Sequence, residues 1–288
     1  MKVLRKIALL FVAMTLLTAC EDVVELDLPD SEPRILINGL ITDSIGGYVD
    51  IMITAPYFSN QPVPRIDGAT VELFEDGTFM TQLTQSDTVA GRYRTTQNGQ
   101  IGKYYHIRVS INSGQFAGTT WESDPEELRR PADLDSAYQK FIEGDAFTDE
   151  GYYPFYAFTE PSGKGDCYRV RVWRNDSLFN KPGDIAVFDD ELVDGFSFNE
   201  DSPFGGIQLD GTPGMSGNTY QVEHSGITRT FYNYLLLLRQ QQVQVGSTFD
   251  PPPAPIIGNI HDANAPEQYG YGFFATYSPR IRRFTMDF

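Results

Sequence analysis

Period-two alternation in short bursts, each ended by glycine, proline or an Asp-Gly step, constrains this chain more than any other feature. In Gly102-Lys103-Tyr104-Tyr105-His106-Ile107-Arg108-Val109-Ser110-Ile111, the residues Tyr105, Ile107, Val109 and Ile111 fall on one side of an extended backbone. Tyr48 to Thr54 alternates in the same way, and Ala69 to Glu75 ends in the hairpin signal Asp76-Gly77 before a partner strand from Thr78 to Leu83. Ile35 to Thr42 breaks at Gly39 and turns through Gly46-Gly47 into the next strand. With twenty phenylalanines, sixteen tyrosines, twenty-six glycines and eighteen prolines, the composition is that of a mainly β chain with many turns.

These runs predict a β-sandwich over residues 34–121. The order Gly68-Ala69-Thr70-Val71, a turn, Gly91-Arg92-Tyr93 and then Gly102-Lys103-Tyr104-Tyr105 resembles immunoglobulin-like or prealbumin-like sandwiches, a likeness of fold that carries no chemistry. A polar connector from Thr119 to Leu128 leaves this unit, placing a boundary between Trp121 and Ala132. A larger β-rich domain is expected over 132–288. Within it, Tyr168, Val170 and Val172 alternate with Arg169 and Arg171, predicting a strand with one buried and one cationic face. One helix is expected near 227–243, opening at Ser225-Gly226, because Ile227, Phe231, Leu235 and Leu238 recur at helical steps and Gly246 would stop it. A stiff segment, Pro251-Pro252-Pro253-Ala254-Pro255-Ile256, follows, and Tyr269 to Tyr277 reads as a final aromatic strand.

The N-terminus sets the compartment. Lys2, Arg5 and Lys6 precede an apolar run from Ile7 to Leu17 that is too short for a permanent span, so residues 1–19 read as a signal peptide. Leu17-Thr18-Ala19-Cys20 matches the cleavage site of a bacterial lipoprotein signal peptidase, with Cys20 the lipid attachment residue. Several acyl chains of the palmitate kind, at about 0.8 kcal/mol per buried methylene, would anchor the protein permanently. Residues 20–33 form an acidic tether, and Glu21, Asp22, Glu25 and Asp27 resemble the signal that sends Bacteroidota lipoproteins to the outer face of the outer membrane. Localisation on the cell surface, lipid-anchored to the outer membrane, is the expectation.

Charge excludes several partners. Thirty-nine acidic residues face twenty-two basic ones, a net charge of −17, which argues against nucleic acid and anionic lipid surfaces. With Cys20 acylated, Cys167 is the one remaining thiol, expected to act as a small buried hydrophobe.

No catalytic constellation stands out. His106 in a strand, His224 before the helix and His261 in a loop share no paired metal spacing. Gly46-Gly47 and Gly205-Gly206 lack the context of a phosphate cradle, and no nucleophile elbow occurs. Asp189-Asp190-Glu191, Asp194 and Asn199-Glu200-Asp201 offer oxygen ligands of the kind calcium takes, but without the alternating calcium-loop register, so this stretch reads as a solvated acidic loop. The expectation is no catalytic, cofactor-binding or metal residues, no cofactor and no enzyme activity.

Taken in order, the lipobox, the Leu26-Asp27-Leu28-Pro29 step into Ile37-Asn38-Gly39, Tyr232-Asn233-Tyr234-Leu235 with Gln240-Gln241, the Pro251–Ile256 segment with Gly258-Asn259, and Gly270-Tyr271-Gly272-Phe273-Phe274 resemble the domain of unknown function 4249 family of Bacteroidota lipoproteins. The resemblance implies a surface lipoprotein associated with TonB-dependent outer-membrane transporters and supplies no catalytic residues. The function expected is a non-enzymatic binding or accessory subunit of a TonB-dependent nutrient-uptake complex. The alternative is a free-standing adhesin or glycan-binding surface protein, with a glycan or peptide as ligand. A hydrolase would need converging carboxylates in a cleft that the sequence does not single out.

Overall fold

A nine-stranded sheet is the frame on which everything else is hung, and its strands come from both ends of the chain. The computed structural model describes residues 32–56, 59, 61–178, 185–203, 205–243 and 255–288. The leader 1–19, Cys20, the tether apart from its last two residues, Gly246 and Pro251 to Ala254 lie outside the described residues.

In the frame, Ile35–Thr42 pairs antiparallel with Gly47–Ile53, and on its other side pairs parallel with the start of the last strand, Phe274–Thr285. That last strand then runs antiparallel to Thr219–Ile227, which pairs with Cys167–Arg174. Alternation decides what each face of Ile35–Thr42 meets. Ile35, Ile37 and Ile41 are buried against a seven-stranded sheet that includes Thr70–Glu75, Tyr104–Ser110 and Thr120–Ser123. Their core also holds Val49, Ile51, Val71, Leu73, Tyr105, Ile107 and Val109, the side chains whose period-two spacing predicts it.

The other half of the frame is covered on both faces. Tyr168, Val170 and Val222 pack with Tyr156, Phe158 and Phe198 of a four-stranded sheet built on the hairpin of Leu134–Ile142 and Gly151–Thr159. On the opposite face, Cys167, Ile227, Phe273, Ala275 and Tyr277 pack against the helix Arg229–Gln242 through Phe231 and Leu235. The chain is thus mainly β, with sheets packed face to face and, among the described residues, one packed helix.

Three expectations need correction. Ser225 and Gly226 belong to the Thr219–Ile227 strand, and Ile227 is its last residue. The helix is capped by Thr228, whose hydroxyl oxygen accepts the Phe231 N–H at 3.2 Å, so the cap sets the start where apolar spacing alone could not. The closing strand runs from Phe274 to Thr285 rather than from Tyr269 to Tyr277. Sheet pairing also crosses the boundary expected between Trp121 and Ala132. Ile260–Asp262 pairs with Thr120–Ser123, Ala265–Tyr269 extends that sheet, and Pro33–Ala55 and Ser59–Phe288 form one compact unit.

The crossing is locked where the C-terminal segment passes the first strand. Ile37 N–H donates to the Tyr271 carbonyl at 2.9 Å, Gly39 N–H to that of Phe273 at 3.0 Å, and Phe273 N–H to Asn38 Oδ1 at 3.1 Å. The Asn259 carboxamide holds the Phe274 main chain from its other side.

Candidate functional site

Between the helix and the outer face of the frame lies a groove of about 820 Å³. Its floor comes from alternate residues of four strands: Leu36 and Asn38, Tyr48, Arg169 and Arg171, and Tyr277. Its wall is the helix, which contributes Phe231, Tyr234, Leu235, Leu238, Arg239 and Gln242. The volume lies within the roughly 300–1,000 Å³ common for small-molecule sites.

The cationic face of Cys167–Arg174, expected from sequence, lines this groove. Arg171 is fully committed: its guanidinium makes a forked pair with Glu223, at 2.6 and 2.7 Å from Nη2. Arg169 donates to the Tyr277 hydroxyl, and its guanidinium lies 5.7 Å from the centre of that ring. Arg239 on the helix donates to the Ile185 carbonyl at 3.4 Å. Among the described residues neither Arg169 nor Arg239 has a carboxylate partner. Asp210, also in the lining, is taken up by Arg174 at 3.0 Å and by the Thr212 N–H and hydroxyl. The groove thus presents two uncompensated cations beside tyrosine and phenylalanine faces, on a chain with net charge −17. Burial pushes the Tyr234 hydroxyl up to about 12 and raises Tyr277 as well, so both stay protonated donors at neutral pH.

The three histidines stand in separate surroundings. His106 stacks on Phe74 with ring centres 4.7 Å apart, and His261 lies in the Ile260–Asp262 strand, not in a loop, 3.6 Å from Asp124. His224 is enclosed by aromatic rings, the nearest being Phe158 at 4.6 Å and Tyr168 at 4.7 Å. Among the described residues neither of its ring nitrogens has a hydrogen-bond partner, and burial pushes its pKa down to about 3. Cys167 is buried beneath the helix, where burial pushes its thiol up to about 11, in keeping with a packing role.

The acidic stretch is solvated only in part: Glu191, Glu200 and Asp201 are exposed, as expected from sequence, but its first half is built into the fold. Asp189 pairs with Arg229, Asp194 accepts the Gly163 N–H at 2.7 Å, and Asp190 is wholly buried. Sequence reasoning also missed Glu160 and Asp166, which the fold brings beside Asp190. The three come from separate strand ends, and no local spacing signals their meeting.

The motifs that carried the family resemblance lie mostly at the crossing rather than in the groove. A Cβ on Gly258 would occupy the Gly272 carbonyl, and one on Gly39 would come within 2.7 Å of the Tyr48 carbonyl. Asn38 and Phe273 serve both places: they are hydrogen-bonded to each other at the crossing, and both line the groove. No curated protein matches this chain. The family model described as "Domain of unknown function (DUF4249)" matches residues 21–283, nearly the whole chain beyond Cys20, and the protein belongs to that family.

Proposed function

We propose that this protein is a non-enzymatic, lipid-anchored surface protein of the outer membrane that serves as a binding or accessory subunit of a TonB-dependent nutrient-uptake complex. In this reading the groove beneath the helix holds the ligand. The observation that carries it is the pairing of aromatic faces with Arg169 and Arg239, two cations that no carboxylate of the described chain neutralises. Such a lining suits a compact ligand with a ring or apolar body and a carboxylate, an acidic glycan or a short peptide. Anchoring through Cys20 and the acidic stretch after it supports the location.

The test is a pull-down of tagged full-length lipoprotein from mildly solubilised outer membrane, followed by mass spectrometry. A TonB-dependent transporter in near-equal amount supports the accessory role, whereas co-purification with unrelated proteins alone sinks it. The free-standing glycan-binder reading rests on a different feature. At the end of the Leu134–Ile142 hairpin, Phe141 and Phe288 are 46% and 52% exposed and flank Tyr152, with ring centres 5.2 and 4.3 Å away. Exposed stacked rings of this kind suit sugar faces. Recovery of the bait alone, with glycan binding lost in Phe288→Ala, would favour that reading.

A further inference from the structure

At the end of the frame remote in sequence from the crossing, three carboxylates converge. Glu160 follows the strand Gly151–Thr159, Asp166 precedes Cys167–Arg174, and Asp190 follows Ala186–Asp189. One oxygen from each lies within 4.8 Å of the other two.

An acidic cluster on a surface would mean little, because water would solvate it. Here Glu160 is 1% exposed and Asp190 0%. Each carboxylate is held by one oxygen and leaves the other bare. The Tyr168 hydroxyl donates to Glu160 Oε1 at 2.9 Å, and the Gly165 and Asp166 N–H groups donate to Asp190 Oδ2 at 2.7 and 3.0 Å. Glu160 Oε2 and Asp190 Oδ1 are buried and have no hydrogen-bond partner among the described residues. A buried acceptor left without a donor is destabilising, and more so when charged, so two together call for a compensating group.

The neighbouring cations do not supply it. Arg129 divides its guanidinium between Glu127 and Asp166, Arg229 goes to Asp189, and Lys164 reaches the Glu191 carbonyl. Three acidic groups therefore share part of one arginine. We propose that Glu160, Asp166 and Asp190 bind a calcium ion, which fastens the loop 160–166 to the turn that follows Asp189.

The donor chemistry selects the ion. All three ligands are carboxylate oxygens, which suits a hard cation. Calcium takes its oxygens at about 2.3–2.6 Å, so two oxygens on one ion stand up to about 5 Å apart, the spacing found here. Magnesium binds its oxygens at about 2.0–2.1 Å and would have to draw the three carboxylates to within about 4.2 Å of one another, a tighter grip than calcium demands. The carboxylates are also held in place: the Tyr168 hydroxyl fixes one oxygen of Glu160 and leaves the other free for an ion, and the two N–H donors do the same for Asp190.

The experiment uses the full-length chain in detergent, treated with EDTA and then titrated with calcium chloride by calorimetry and thermal unfolding. The expected result is one calcium per chain, a Tm that rises with calcium, and affinity at least about tenfold weaker in both Glu160→Gln and Asp166→Asn. Asp166 is only partly buried, so its variant keeps the test valid if Glu160→Gln does not fold. Terbium offers a second readout, since Tyr168 stands close enough to sensitise its emission, which should vanish in Asp166→Asn. No calcium-dependent change in Tm together with a stabilised Glu160→Gln would show that the carboxyls share a proton instead and would overturn the site. A larger Tm shift from magnesium at equal concentration would overturn the assignment to calcium.

Discussion

Asn259 and Phe274 are joined by two hydrogen bonds of 2.9 Å: the Phe274 N–H donates to Asn259 Oδ1, and Asn259 Nδ2 donates to the Phe274 carbonyl. Both residues are buried, so the carboxamide replaces a ladder partner for main-chain groups that water does not reach. Asn259→Ala strands both groups, and each is worth about 1–3 kcal/mol. The expected loss is therefore about 2–5 kcal/mol in urea unfolding of the full-length chain. Asn259→Asp keeps the acceptor but not the donor and buries a charge, so it should be no better than alanine; near-wild-type stability in either variant would mean that the crossing is held elsewhere.

Gly258, one residue before, makes a second test of the same crossing. Its Cα lies against the Gly272 carbonyl so closely that a methyl group has no room, and Gly272 itself has a φ of +96° and faces the Ile37 carbonyl. Gly258→Ala must push two segments of backbone apart, which flexible side chains cannot absorb. The expected outcome is a fall in Tm of several degrees or failure to accumulate, whereas Gly77→Ala, where open space surrounds the site, should cost only the strain of its positive φ.

This crossing also shows what the sequence makes legible. Alternation in Tyr105, Ile107, Val109 and Ile111 is local, and it predicts both the strand and the face that is buried. The arginine face of Cys167–Arg174 is legible in the same way, and it supplies half the character of the groove. What no window reveals is the parallel pairing of Gly39 to Thr42 with Phe274 to Tyr277, because its warrant is a fit between residues over two hundred positions apart. The Gly258-Asn259 and Gly270-Tyr271-Gly272 steps mark that fit, but a glycine announces close approach without naming what approaches. The Glu160, Asp166 and Asp190 cluster was hidden for the same reason: Asp190 stands in an acidic run visible in the sequence, but its partners Glu160 and Asp166 lie outside that run and join it only when strand ends converge.

Across the frame, Arg171 and Glu223 stand directly opposite each other on paired strands, with Glu223 buried and Arg171 partly open to the groove. Removing the cation alone leaves a buried carboxylate unmatched, so Arg171→Met should cost about 3–5 kcal/mol. Replacing both, as Arg171→Met with Glu223→Leu, removes the charge that made the loss severe. The double variant should recover most of the stability in the same urea titration; if it is as unstable as the single variant, the pair does more than neutralise itself.

Glu126 and His224 act on stability in opposite directions over the same pH range. Glu126 is buried between the Thr228 hydroxyl and the Asn259 amide, and burial pushes its pKa from 4.5 up to about 7. The folded state then holds a proton that the unfolded chain has released, so this group lowers stability as pH rises from about 4.5 to about 7, by about 3 kcal/mol in all. His224 has its pKa pushed from 6.5 down to about 3, so the unfolded chain takes up the proton first and stability falls as pH drops below 6.5. Between about pH 4.5 and 6.5 the two slopes offset, near 1.4 kcal/mol per pH unit each. Glu126→Gln should therefore gain on the wild type as pH rises from 5 to 8, while His224→Phe should gain as pH falls from 7 to 5, by about 2 kcal/mol. Urea midpoints of the three proteins taken at pH 5, 6, 7 and 8 decide it: difference curves that run parallel to the pH axis would mean that neither group changes its proton affinity on folding, and curves of equal sign would mean that one of the two directions is wrong.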